Sequence, residues 1–330
     1  MKRVLCVLLA FSAMLALPVF AQTATGTMDV QWDAGKADCS NEAPRPLQVH
    51  RYNDSTYVLR ENLCTTYEAP FMYLLIGEAK ALLIDTGDVA QAQKVPLAST
   101  VMSLLPNVQG AKMPLIIVHT HGHLDHREGD AQFASMPNVQ IVGADLDHVK
   151  AYFGFQQWPD GVAEVDLGGR IVDVIPTPGH YPSHVSYYDR NTGLAFTGDF
   201  FLPGRLIIDD ANADRASAKR LADFLRTRPV TYVLGGHVEL NRHNDLQEMG
   251  SSVHPDERPL PLSKDDLMNL PAELANYNGF YGQSGMFVMY SQTRVLQGMA
   301  AAAVVLLIML VLAVRWMLRR RKRVKAAKAS

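Results

Sequence analysis

Residues 115–126 read LIIVHTHGHLDH and place four of the chain's eleven histidines within eight positions, at His119, His121, His123 and His126. Leu115 to Val118 is an apolar run of strand length, so it predicts a buried strand that ends where the histidines begin. Side chains of an extended segment repeat every two residues, which puts His121 and His123 on one side; Asp125 and His126 follow as the chain turns. Two imidazoles, then an imidazole with a carboxylate, make a pair of half-sites for borderline-soft dications such as zinc. The strand delivers them to a loop beyond a sheet edge, where functional groups concentrate.

Half-sites need further donors, and three stand at apt places downstream. His180 closes Thr177-Pro178-Gly179-His180, Asp199 closes Phe196-Thr197-Gly198-Asp199, and His237 closes Leu234-Gly235-Gly236-His237. Each follows a strand-like run or a tight glycine turn. Around them the pattern predicts strands at 56–59, 71–76, 81–84, 139–142, 171–175, 185–188, 194–196 and 232–234, with helices at 97–105, 144–153 and 213–226. Strands with helices between them predict an α/β or α+β architecture in which helices cover the sheets. Residues 250–261 read as a proline-punctuated linker and 263–270 as a short helix capped by Ser263. The segment 277–290 fits either a stalk or a strip packed on the body.

Taken together, T-H-x-H-x-D-H (120–126), T-P-G-H (177–180), T-G-D (197–199) and G-G-H (235–237), preceded by L-L-I-D-T-G (82–87), resemble the metallo-β-lactamase superfamily over roughly residues 57–241. The resemblance implies an αββα sandwich with metals at one edge between two sheets. Carried over, it assigns His121, His123 and His180 to one metal, Asp125, His126 and His237 to the other, and Asp199 to a bridge between them. Asp85 would fix a ligand imidazole by hydrogen bond, while His119 and His184 are left over as supporting residues. Two zinc ions per chain are expected, with iron or manganese as substitutes. The implied chemistry is hydrolysis of a small-molecule ester, thioester or lactone by a hydroxide bridging the metals, oriented by Asp125. A bridging aspartate is typical of the glyoxalase II, lactonase and phosphodiesterase branches and atypical of the lactamases, so β-lactam hydrolysis is the alternative. A mononuclear iron dioxygenase of the same fold is a second alternative. The loops 152–161 and 200–210 would set substrate choice, with Phe155 and Trp158 as candidate walls of an apolar pocket.

The rest of the chain bears on location. Residues 1–21 have the basic start, apolar stretch and small final residue of a secretory signal peptide. Residues 298–314 are uncharged and near the short end of the length that crosses a bilayer of about 30 Å. The tail 315–330 holds eight basic residues and no acidic one. The positive-inside rule then places the tail in the cytoplasm and residues 22–297 on the periplasmic or extracellular side, a single-pass membrane protein. The divisions expected are an arm at 22–54, a catalytic domain at 55–245 and a linker or stalk at 246–297. All 33 acidic residues lie between leader and tail against 21 basic ones there, a net charge of −12 that argues against nucleic acid as a partner. In an oxidising compartment Cys39 and Cys64 are expected to pair.

Overall fold

A computed structural model describes residues 23–40 and 44–329. The predicted signal peptide, residues 1–21, lies outside the described residues.

In chain order the first half forms β1 (Leu47–Asn53), β2 (Thr56–Glu61), β3 (Phe71–Ile76), β4 (Ala81–Ile84), α1 (Leu97–Leu104), a small ladder of β5 (Asn107–Val108) with β6 (Ala111–Lys112), β7 (Leu115–Val118), β8 (Val139–Ile141) and α2 (Leu146–Phe153). The second half adds β9 (Ala163–Asp166), β10 (Ile171–Pro176), β11 (Val185–Asp189), β12 (Leu194–Gly198), β13 (Arg205–Ile207), α3 (Ala211–Leu225), β14 (Tyr232–Gly235), α4 (Lys264–Asn276), β15 (Tyr281–Ser284), β16 (Phe287–Tyr290) and α5 (Gln292–Ala329).

Two sheets carry the body, one ordered β1-β2-β3-β4-β7-β8 and the other β14-β12-β11-β10-β9. Because β3, β4 and β7 are apolar on both faces, they must be covered twice. One set of side chains, including Tyr73, Ile84 and Val118, meets Val174, Tyr187 and Phe196 of the other sheet in the central core. The opposite set, including Met72, Leu83 and Ile117, packs under Leu97 and Val101 of α1. On the far side Ile175, Ala195 and Val233 pack under α3 and α4 through Leu221, Leu225, Leu267 and Leu270. Helix, sheet, sheet, helix is the αββα order expected.

The parallel pairings fix where the chemistry can sit. β4 runs parallel to β7, and β12 runs parallel to β14. β10 is two antiparallel steps from β12 and so shares its direction. The loops after β4, β7, β10, β12 and β14 therefore leave the sandwich at one edge. Tyr187 Oη donates to the carbonyl of His119 (2.7 Å) and the amide of Phe71 donates to that of Gly236 (2.8 Å), which fastens the two sheets there.

The outer segments depart from the sequence reading. The stretch expected as a linker and stalk, 246–297, is built into the body over most of its length: α4 buries Leu267, Leu270 and Leu274, and β15 and β16 join β13 in a third sheet. A capping box between Ser263 and Asp266 starts α4, as the serine predicted, but the helix runs on to Asn276. Arg60 grips Glu257 through two hydrogen bonds (2.6 and 2.7 Å) with both side chains buried, which pins the would-be linker to the first sheet. The arm is likewise integral, since β1 pairs with β2 and Trp32 packs edge-on against Phe71. Cys39 and Cys64 are joined, with Cα atoms 5.4 Å apart.

Candidate metal centre

The strand β7 ends at Val118, and His121, His123, Asp125 and His126 follow, the last two within a 3₁₀ turn at Leu124–His126. His121 Nε2 lies 2.9 Å from His123 Nδ1, and His180 Nε2 lies 3.0 Å from the same atom. The three imidazoles thus point their lone pairs at one spot. In the second group Asp125 Oδ2, His126 Nε2, Asp199 Oδ1 and His237 Nε2 stand 3.2–3.4 Å apart in the pairs Asp125–His126, Asp125–His237, His126–Asp199, His237–Asp199 and His126–His237. Four ligands arranged tetrahedrally at about 2.0–2.1 Å from a zinc ion are separated by about 3.3 Å, so the donors already hold the spacing such an ion requires. Asp199 Oδ2 lies 3.8 Å from His180 Nε2 while its Oδ1 faces the second group. One carboxylate spans both clusters.

The donor set fits dications on a further count. Asp199 Oδ1 is buried and has no hydrogen-bond partner, an arrangement that costs free energy unless a cation completes it. The electrostatics agree. Burial opposes charge on His126, yet Asp125, Asp199 and Asp85 hold its imidazole well above the usual histidine range. His237, equally buried, is pushed up to about 10 by Asp199 and Asp125. Burial works against ionised Asp125 and Asp199 too, but the neighbouring imidazoles, His126 and His237 foremost, hold both below the usual carboxylate range. In the other group burial, and then the neighbouring imidazoles, drive His121 well below its ordinary value, which leaves its lone pair free to bind a metal. A cluster that draws protons onto buried imidazoles is one whose negative charge a metal would balance on displacing them.

Three of the ligand histidines, His126, His180 and His237, are oriented from behind. Asp85, immediately after β4, accepts from the amide of Thr120 (2.7 Å) and from its hydroxyl (2.9 Å), and His126 Nδ1 lies 2.9 Å from Asp85 Oδ2. His180 Nδ1 is 2.8 Å from the carbonyl of Ile207 in β13, and His237 Nδ1 is 2.7 Å from that of Glu68. Such contacts fix the tautomer that turns Nε2 toward a metal. Glycine is required where the loops close up: a Cβ on Gly236 would collide with Asp199 Oδ1 and His126 Cε1, and Gly198, at φ 47°, presses on Thr120.

His184 lies buried with its ring stacked on that of His121 at 5.1 Å and its Nδ1 2.9 Å from Thr177 Oγ1. His119 points elsewhere, its nitrogens 3.1 Å from the carbonyl of Val142 and 3.0 Å from Asp130 Oδ1. Tyr181 and the carbonyls of Ile207 and Glu68 were not singled out by the sequence, and Thr120 was read as a motif residue without a role. Thr120 opens a motif and Tyr181 adjoins one, which is a signal of position only; the carbonyls leave none. Of the two aromatics proposed as pocket walls, Phe155 is buried core, whereas Trp158 lines a cleft of ≈ 420 Å³ with Tyr181, whose ring centre is 4.9 Å from that of His123. On the other flank a cleft of ≈ 250 Å³ is lined by His237 itself.

Among known proteins, the hydroxyacylglutathione hydrolase of Aeromonas hydrophila is 30% identical over 156 residues, 46% of this chain and 56% of that protein. That of Anaeromyxobacter dehalogenans is 34% identical over 133 residues, covering 39% and 45%. The chain thus spans about half the length of these curated relatives. Among solved structures, a metallo-beta-lactamase from Pontibacter korlensis aligns with TM-score 0.49 at 18% identity over 70% of this chain and 100% of that one. One from Hirschia baltica aligns with TM-score 0.47 at 11% identity over 69% and 97%. A sequence model of the metallo-beta-lactamase superfamily matches residues 66–237. That match takes in more than half of the 330 residues and all seven clustered donors, so the chain belongs to the metallo-beta-lactamase superfamily.

Proposed function

We propose that the chain is a membrane-anchored, dinuclear metal-dependent hydrolase of ester, thioester or lactone bonds. The observation that carries this reading is the pair of donor clusters, His121-His123-His180 and Asp125-His126-Asp199-His237, with Asp199 presenting one oxygen to each. Two dications held there would supply an activated water and polarise the acyl oxygen. Asp125, kept ionised by His126 and His237 against the cost of burial, would accept a hydrogen bond from that water and orient it. Asp85, Ile207 and Glu68 keep the imidazoles from turning. In the overall reaction the water oxygen joins the acyl carbon and the C–O or C–S bond breaks. One water proton goes to the leaving alcohol or thiol, and the other is released as the acid ionises.

The hydroxyacylglutathione hydrolase relatives support a thioester among the substrates. The helix Gln292–Arg320, long and apolar enough to cross a membrane, supports the anchor, and the basic residues after it support a body on the exported side. The test uses the full chain in detergent micelles: metal content per chain, alongside turnover of an aryl ester, a thioester, a lactone and a chromogenic β-lactam. About two zinc ions per chain with ester, thioester or lactone turnover is the expected result. Turnover of the β-lactam alone would make the protein a lactamase, and one iron per chain without hydrolysis would overturn the hydrolase reading.

A further inference from the structure

The cleft beside His237 has an unexpected wall. Its lining includes Tyr67, Val238, Met249, Tyr290 and Gln292, and Gln292 is the first residue of α5. Only Ser291 separates β16 from that helix, and β16 is clamped into the body by pairing with β13, Leu206 opposite Met289 and Ile207 opposite Tyr290. The helix therefore leaves the body at the metal cleft itself. From Gln292 to the uncharged run that begins at Gly298 is six residues, a rise of about 9 Å along the helix. The headgroup layer on each side of a bilayer is about 5–8 Å thick. With the hydrocarbon boundary at Gly298, Gln292 on the rim of the cleft stands no further than about 9 Å from it, whatever the tilt of α5.

The surface around the cleft suits this position. Met249 and Tyr67 line it while 66% and 52% exposed, and Leu124, between the ligands His123 and Asp125, is 53% exposed. At the foot of the helix Phe280 and Tyr281 are also more than half exposed, with the guanidinium of Arg294 5.9 Å from the Phe280 ring. Aromatic and arginine side chains of this kind settle at the membrane–water boundary. Much of the remaining lining is polar. Arg205 is engaged by Glu239 (2.9 Å), and Glu68 and Glu248 add carboxylates without a further lysine or arginine in the lining.

We infer that the metal cleft takes its substrate from the bilayer: an amphiphile whose tail stays in the adjoining leaflet while its ester or thioester reaches up to the metals. This rests on the hydrolase and anchor readings above and names their substrate class. The reaction is the same hydrolysis, releasing a carboxylic acid and an alcohol or thiol.

The test lifts the body off the membrane without touching the cleft. Four EAAAK repeats inserted between Gln297 and Gly298 extend the helix by about 30 Å. Native and extended full chains are compared in phosphatidylcholine vesicles on 4-nitrophenyl acetate in solution and on 4-nitrophenyl palmitate dissolved in the bilayer. Both forms are expected to hydrolyse the acetate equally, with the extended form about ten-fold or more slower on the palmitate. A second readout needs no turnover: in a Cys6→Ser background, Met249→Cys carrying a fluorophore should be quenched by a headgroup nitroxide lipid in the native tether and not in the extended one. Equal palmitate rates in both forms, or no quenching in the native one, would overturn the inference. Failure of both forms on the acetate as well as the palmitate would instead remove the hydrolase reading on which it rests.

Discussion

Asp85 sits at φ 65°, a backbone conformation that aspartate and asparagine tolerate better than other side chains. From there its two oxygens reach Thr120 and His126 and hold the second cluster in place. Asp85→Asn keeps the backbone tolerance but removes the charge that steadies His126, so metal affinity is expected to fall about 10–100-fold. Competition with a chelator measures it, and an unchanged affinity would remove Asp85 from the metal site's support. Glu61 shows a different cost. Burial pushes its carboxyl up to about 8, with one oxygen left without a hydrogen-bond partner. A carboxyl whose folded value is raised contributes stability that is complete below about 4.5 and lost as pH rises through about 8. Glu61→Gln should therefore flatten the decline of the denaturation midpoint over that window, and parallel curves for the two proteins would contradict the assignment. The seven donors were legible because each falls within a short side-chain motif. Of their supports Asp85 was legible too, but the carbonyls of Ile207 and Glu68 were not, because they act through the main chain and come to the histidines only by tertiary folding.

At the scale of elements the two sheets are held together away from the metals by one buried cation. Arg170, 3% exposed, bonds to Asp189 in β11 (3.1 and 2.7 Å), to the carbonyls of Ser55 (2.7 Å) and Ile76 (3.1 Å), and to the hydroxyl of Thr56 (2.8 Å). Its five-donor fork satisfies groups on both sheets, something a lysine could not do. Arg170→Ala strands Asp189 as a buried charge and frees those carbonyls, so a loss of about 3–5 kcal/mol is expected in chemical denaturation. A loss below about 1 kcal/mol would mean that water replaces the guanidinium without penalty. The interior strands were legible because β3, β4, β7 and β10 are apolar runs with sharp ends. β1 was missed because it alternates polar and apolar residues at a sheet edge, and β13, β15 and β16 because each has only three or four residues whose pairing is decided by distant partners. The cost of missing them was specific. β13 carries the Ile207 carbonyl behind His180, and β16 ties that strand to the last helix.

The whole molecule is asymmetric in charge and hydropathy along one axis. Its helix Gln292–Arg320 has a mean hydropathy of 2.6 in its most apolar window and buries none of it against the body, so water is a poor solvent for this segment and lipid a good one. That much was legible from composition. What composition could not give is that the helix departs from the wall of the metal cleft, since this follows from the β13–β16 register. The proposed direction of crossing rests on charge. Eight basic residues and no acidic one follow Val314, while the span from residue 22 to residue 297 carries 33 acidic residues against 21 basic ones. Holding the basic tail on the cytoplasmic face is favoured by the positive-inside bias. The membrane potential adds about 2.3 kcal/mol per charge per 100 mV in the same sense, inside negative. Protease added to intact right-side-out vesicles is therefore expected to digest the body and leave α5 with its tail as a protected fragment. An intact body that becomes digestible only after the membrane is broken would reverse the orientation, and a body released by washing at high pH would show that the helix does not cross at all.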